Sequence, residues 1–198
     1  HQAFTLLGKK GTFMKKFMKE WGLFIFIFAV IGLSRLFLWQ FVRVDGHSMD
    51  PTLANNERLL VLSHTSIDRS DIVVASEEED GKKKIIVKRV IGLPGDTISY
   101  KNDVLKVNGK VVKEPYLETY QKLFKKDKLQ STYSYNALFQ GLAEKATAFT
   151  TDANGSADFT ITVPKGQYYL LGDDRIVSRD SREVGTFKKK DIIGEVKF

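Results

Sequence analysis

The chain has 198 residues, with 31 Lys plus Arg against 24 Asp plus Glu, 42% apolar and 12% aromatic side chains, and no Cys. That is enough for one principal folded body with a core, and it excludes wholesale disorder, a disulfide scaffold, thiolate catalysis and Cys-ligated metal sites. The net charge of +7 is unevenly spread: residues 1–44 hold seven basic side chains and one acidic, the rest 24 basic and 23 acidic, so the folded part lacks the basic footprint of a nucleic-acid binder.

In chain order, the first element is an apolar helix. Residues 21–42 carry one ionised side chain, Arg35, and include the uncharged run WGLFIFIFAVIGLS, long enough to cross a bilayer. Arg35 lies toward its C-terminal side, where a long stem reaches the headgroups, and Trp21 and Trp39 sit near the two interfaces. Lys9, Lys10, Lys15, Lys16 and Lys19 precede the run, opposed only by Glu20, so residues 1–20 are assigned to the cytoplasm and residues 43–198 to the outside. A buried core helix and a cleaved signal are the alternatives, but no A-x-A cleavage site follows the apolar run. Met14 opens a good anchor start by itself, so residues 1–13 are read as an upstream extension with no structural role.

Short β-type runs follow at 42–45, 58–62, 71–75, 85–91, 168–171 and 191–198. Asn108-Gly109 and Asn154-Gly155 each read as the turn of a hairpin, since a type I′ turn needs positive φ at both central positions. The run EEEDGKKK at 77–84 reads as a solvated hairpin tip. Residues 114–148 mix helix formers and aromatics without a clean period and suggest an inserted lobe, spanning about 103–163 with its flanks. The fold class is therefore mainly β: a barrel-like antiparallel domain with an inserted smaller lobe, preceded by one transmembrane helix.

Three runs could carry chemistry. In VDGHSMDPTL, Ser48 follows a strand and opens a turn, which exposes both a hydroxyl and nearby N–H groups. A nucleophilic Ser needs a base. His47 is adjacent in sequence and points away in an extended segment, while His64 lies in a polar loop. The other route is a Lys kept neutral by burial. In KKKIIVKRVIGLPGD, alternation puts Ile86, Lys88 and Val90 on one face, and lowering an ammonium pKa from about 10.4 to near 7 costs roughly 4–5 kcal/mol, within reach of an apolar pocket. The third run, 170–185, is a strand followed by a loop dense in Asp, Arg and Ser, which on burial holds a loop rigid beside a site.

Together, GHSMDPTL, SDIVVA, VKRVIGLPGD and GDDRIVSRDSR, in that order after an anchor, resemble the boxes of the bacterial type I signal peptidases, membrane-anchored Ser/Lys endopeptidases, and are similar to the Gram-positive branch. The resemblance covers nearly all of the chain from about Met14 onward. It implies that Ser48 is the nucleophile and Lys88 the general base, that Ser178 orients the Lys, and that Asp180 and Arg182 form a supporting charged pair with Asp173 in the same box. It implies a peptide groove lined by Val44 and Val87, cleavage after small residues of the Ala-x-Ala type, and the signal-peptide region of exported preproteins as substrate, met at the lipid bilayer. Neither metal nor cofactor is implied, and a monomer is expected. Two departures stand out: Asp174 replaces a common Asn, and Gly46 stands where some members carry a hydroxyl that assists the oxyanion. The competing readings are a signal-peptidase-like binding factor for surface-fibre assembly without proteolysis, and a soluble self-cleaving Ser/Lys repressor.

Overall fold

The computed structural model describes residues 2–197; His1 and Phe198, which belong to the expected extension and the expected last strand, lie outside the described residues. The chain divides into two compact units, His1–Gln40 and Phe41–Phe198. In the first, helix α1 covers Gln2–Phe37. Its stretch Lys16–Arg35 has 20 residues and a mean hydropathy of 1.7, with none of that window buried; at 1.5 Å per residue this is about 30 Å, the thickness of a hydrocarbon core. Residues 2–13, given no structural role above, are part of the same helix. The expected span 21–42 is not one helix. Leu38 N closes the last turn on Ser34 O at 2.7 Å, and Trp39–Arg43 is strand β1, because hydropathy alone does not separate a helix from an apolar strand that continues it.

The second unit is built on β2 (Arg58–Leu62), β3 (Ile72–Glu79), β4 (Lys82–Gly92), β5 (Thr97–Lys101), β6 (Val104–Val107), β7 (Lys110–Val112), α2 (Glu118–Asp127), α3 (Ala137–Lys145), β8 (Asp158–Thr162), β9 (Gln167–Leu171), α4 (Ser181–Val184), β10 (Phe187–Lys188) and β11 (Ile192–Lys197). The strands form a seven-stranded sheet in the order β1-β2-β11-β3-β4-β9-β10 and a four-stranded sheet in the order β7-β6-β5-β8. The expected barrel-like closure is not found. β4 ends in a register shift between Val90 and Gly92, and the chain then starts a separate sheet at β5. Gly92 sits where a Cβ would crowd Val163, Tyr169 and Ile98, so the crossing point admits only Gly.

Alternation explains the core. On β3 and β4, Val74 and Val87 point into one cluster with Val44, Met49 and Leu53, while Val73, Ala75, Ile86 and Val90 point into another on the opposite face. Among the described residues, three two-residue hairpin turns have positive φ at both positions: Asp80-Gly81, Asn102-Asp103 and Asn108-Gly109. The first is the tip of the charged hairpin, with Glu79 opposite Lys82. The third was legible from its Asn-Gly pair, whereas Asn102-Asp103 was not anticipated. Asn154-Gly155 does not join two strands as expected: the residues before it are not strand, and β8 pairs with β5 instead. Asp152 Oδ1 accepts from Asn154 N and Ser156 N, so side-chain bonding closes a loop there in place of a ladder. Residues 115–145 form a short 3₁₀ turn, α2 and α3 around Leu117, Tyr133 and Phe149. The Asn136 side chain caps α3 by accepting from Leu138 N and Phe139 N.

Candidate active site

Ser48 lies in the turn that follows the edge segment 41–45. Gly46, at φ +93°, sets the chain in the left-handed region just before it. Val44 N donates to Glu57 O, and Asn56 N to Val44 O, which closes the loop at its base. Met49 and Leu53, at 1% and 0% exposure, pin the turn into the core. The Ser48 carbonyl accepts from Asp174 N at 3.1 Å. The residue is thereby held from both sides with its hydroxyl toward strand β4.

The structure brings Lys88 to it. Lys88 Nζ is 2.8 Å from Ser48 Oγ, and Lys88 is buried on the face that carries Ile86 and Val90. Burial lowers its pKa from 10.5 to about 8, against the pull of the Asp180 and Glu77 carboxylates, which favour the ammonium. Ser48 and Lys88 face a groove of about 550 Å³, which Val44 and Val87 also line. Neither His takes the place of Lys88. His47 Nδ1 is 2.9 Å from Asp50 Oδ2 and its ring packs on Tyr135 and Phe139, and His64 is exposed in another turn.

The third run supplies the frame. Asp173, fully buried, accepts from Arg89 Nε at 2.8 Å, Arg89 Nη2 at 2.6 Å and Thr52 Oγ1 at 2.5 Å. It therefore fastens the Ser48 turn, through Thr52, to the residue after Lys88. Asp180 accepts from Arg182 Nε and Nη2, each at 2.8 Å, and from Gly172 N at 3.0 Å. Burial would raise the Asp180 pKa, but Arg182 and the Gly172 N–H outweigh it and hold the carboxyl below its usual range. Arg182 also reaches the carbonyls of Thr151, Arg175 and Ser178. Ser178 is 4% exposed and its Oγ has no hydrogen-bond partner among the described residues, so the expected bond to Lys88 is not formed here. It does lie against the centre: a Cβ on Gly172 would overlap both Ser178 Oγ and the Ser48 carbonyl oxygen.

Several supporting residues gave no sequence signal of their own. Arg89 sits beside Lys88 in the run KKKIIVKRV, and nothing in that run marks it as the partner of a distant carboxylate. Glu114 and Arg175 form a buried pair at 2.5 Å, with Arg175 Nη1 donating to Tyr100 and Thr150, and pairs so far apart in sequence are invisible to spacing. Tyr133 of the helical lobe donates to Asp174 Oδ1 at 2.6 Å, while Asp174 Oδ2 is buried without a partner among the described residues. Among the described residues no group of three or more His, Cys, Asp or Glu could hold a metal ion.

A Ser hydroxyl at hydrogen-bond distance from a buried Lys is the arrangement expected of a serine hydrolase without His. The family model described as signal peptidase, peptidase S26, matches residues 18–198. The chain belongs to this signal peptidase family. It is 60% identical over 191 residues to a signal peptidase I of Streptococcus pneumoniae serotype 4 (strain ATCC BAA-334 / TIGR4), covering 93% of each chain. It is 40% identical over 198 residues to a signal peptidase I P of Bacillus subtilis subsp. natto, covering 96% of this chain and 92% of that one. A crystal structure of a signal peptidase I from Enterococcus faecalis V583, 29% identical, aligns over 68% of this chain and all of that one with a TM-score of 0.48. As a member of the signal peptidase family, the protein is a serine endopeptidase.

Proposed function

We propose that this chain is a membrane-anchored peptidase that removes signal peptides from exported preproteins through a Ser48–Lys88 dyad, cutting after Ala-x-Ala-type sites. The observation that carries this reading is the 2.8 Å approach of Lys88 Nζ to Ser48 Oγ within a groove, with Lys88 buried. With a pKa of about 8, about a tenth of Lys88 is the free amine at pH 7, against under a thousandth for an ordinary Lys. The free amine takes the Ser48 proton as Oγ attacks the scissile carbonyl, and the ammonium then gives that proton to the departing amine. An acyl ester on Ser48 remains. Lys88, neutral again, takes a proton from the incoming water as its oxygen attacks the ester carbonyl, and the ammonium returns that proton to Ser48 Oγ as the Oγ–C bond breaks, which frees the signal peptide and restores Ser48. The Ser48 backbone N–H is assigned to the developing oxyanion. The buried Ser178 hydroxyl, which has no hydrogen-bond partner among the described residues, is assigned to Lys88.

The substrate is read as an extended segment lying along the groove, where alternate side chains face one wall. Val44 and Val87 leave room there for small groups at the first and third positions before the cut. Helix α1 is read as the anchor, with residues 1–20 in the cytoplasm and the catalytic unit outside, by the lysines before the apolar run. Tethering both enzyme and signal segment to one membrane raises their effective concentration and limits their relative orientation. A binding factor without proteolysis would have no use for a buried amine facing a hydroxyl, since burying it unpaired costs stability.

The test is cleavage of an Ala-x-Ala signal-peptide substrate by the full chain in detergent. Ser48→Ala and Lys88→Ala each reduce turnover to background while circular dichroism keeps the wild-type spectrum. Wild-type turnover by either purified variant refutes the dyad.

A further inference from the structure

Arg179 stands between Ser178 and Asp180, yet its side chain leaves that loop and crosses to strand β3. There Nη1 donates to Glu77 Oε1 at 2.5 Å and to Glu79 Oε1 at 2.7 Å. Glu77 is buried, at 6% exposure, whereas the Arg179 side chain is 44% exposed. Both line the groove that holds Ser48 and Lys88. Val73 is directly opposite Lys88 in the antiparallel register, so alternation along β3 puts Glu77 on the same face of the sheet as Lys88. A buried carboxylate on that face attracts a proton to the amine, and a guanidinium bonded to the carboxylate opposes this attraction.

We infer that Arg179 is a positioning residue of the Ser48–Lys88 centre: a strap that ties the Ser178 loop to strand β3 and offsets the Glu77 carboxylate on the side of Lys88. The inference rests on Lys88 acting as the base. Besides Arg179, the charged groups that bear most on Lys88 are Asp180 and Glu77 on the acidic side, and Lys84 and Arg182 on the basic side. Asp180 is already paired with Arg182, and Lys84 reaches Glu79 only at 3.5 Å. Glu77 is thus the carboxylate whose influence depends on a residue of the loop. One side chain both fixes where Ser178 sits and sets how readily the neighbouring amine gives up its proton.

The test is the pH dependence of kcat/KM for an Ala-x-Ala substrate, measured on the full chain in detergent. The variants are Arg179→Met, Arg179→Lys, Glu77→Gln and the double Arg179→Met/Glu77→Gln, with Lys88→Ala as reference and thermal unfolding recorded alongside. In Arg179→Met the uncompensated carboxylate holds the ammonium, so the rising limb of activity moves up by about half a pH unit. In Glu77→Gln the unopposed guanidinium moves it down by a similar amount. The double variant returns close to wild type, and Arg179→Lys keeps the wild-type limb. If Arg179→Met does not fold, Arg179→Gln, which keeps a polar group on the Glu77 carboxylate without the charge, carries the same expected upward move. A limb that stays in place in Arg179→Met, with Lys88→Ala inactive, overturns the inference and leaves the dyad standing. An active Lys88→Ala overturns the dyad instead.

Discussion

Lys88 and Arg89 are neighbours on β4, both buried, and they point to opposite faces of the sheet, where they meet opposite treatment. Arg89 finds both oxygens of Asp173, the carbonyl of Ser70 and the face of Tyr116 at 3.8 Å. Lys88 finds a hydroxyl, on a face shared with Ile86 and Val90, and forms no ion pair among the described residues. The same contrast recurs in the loop after β9. Asp173 is held by Arg89 and Thr52, whereas the adjacent Asp174 has one oxygen on Tyr133 and the other on nothing among the described residues. Burial is common to all four. Whether a group keeps its charge firmly and acts as a rivet, or holds it loosely enough to exchange a proton near neutral pH, depends on the partner it meets.

The largest effect is expected on the riveted side. Arg89→Met leaves Asp173 buried and uncompensated, and breaking such a pair from one side costs about 3–5 kcal/mol. Urea unfolding should record that loss. Activity should fall with it, because Asp173 also holds Thr52 and through it the Ser48 turn. A loss below 1 kcal/mol would mean that the pair is no rivet and that the contrast with Lys88 is one of location alone.

On the other side the sign reverses. The folded state lowers the Lys88 pKa to about 8 from an ordinary 10.5, so below pH 8 the unfolded chain keeps a proton at no cost while the native chain keeps it against burial. The native state is therefore penalised at neutral pH, and the penalty fades as pH rises from about 8 to 10.5. Lys88→Met removes the penalty without leaving a cavity. It should abolish turnover yet raise stability at pH 7 by about 2–3 kcal/mol. The gain should shrink at pH 10. A variant less stable than wild type at pH 7 would contradict the account of Lys88 as a suppressed charge.

Much of this site was legible because its residue types are restricted by chemistry. The alternation Ile86, Lys88, Val90 put an amine on an apolar face, and the resemblance of the four runs to the signal peptidase boxes paired it with Ser48. The Asn108-Gly109 turn was legible for a similar reason, since few residues tolerate positive φ at both positions, and β2 was legible from its short β-type run. Long-range pairing was not. Nothing near Arg89 names Asp173 across 84 positions, and nothing near Asn154-Gly155 says that β8 will pair with β5 rather than with the segment before the turn. The expected barrel failed likewise, because closure depends on how the last strands meet and not on where each begins. Local chemistry is written in local sequence, while partner choice is settled only when the whole sheet competes for its edges.

Asp174 gives the smallest and most specific check. Burial raises its pKa to about 7, against the hydrogen bonds from Tyr133 and from the Ile176 N–H, so the native state holds a proton that the unfolded chain releases near pH 4. Stability from this group is present below that lower value and is lost as pH climbs through 7. Asp174→Asn keeps the acceptor for Tyr133 and removes the titration, although its amide then lacks an acceptor where Oδ2 lacked a partner. These two changes oppose each other. The net effect at pH 8 should be a gain of about 1 kcal/mol, turning to a loss of similar size at pH 5, where the acid is already neutral. Because Asp174 N holds the Ser48 carbonyl through the backbone, which the exchange does not touch, turnover at pH 8 should stay within about twofold of wild type, about 0.4 kcal/mol in the barrier. Parallel stability curves for the two proteins from pH 5 to pH 8 would show that Asp174 is ionised throughout, and that the neutral member of the pair had been misassigned.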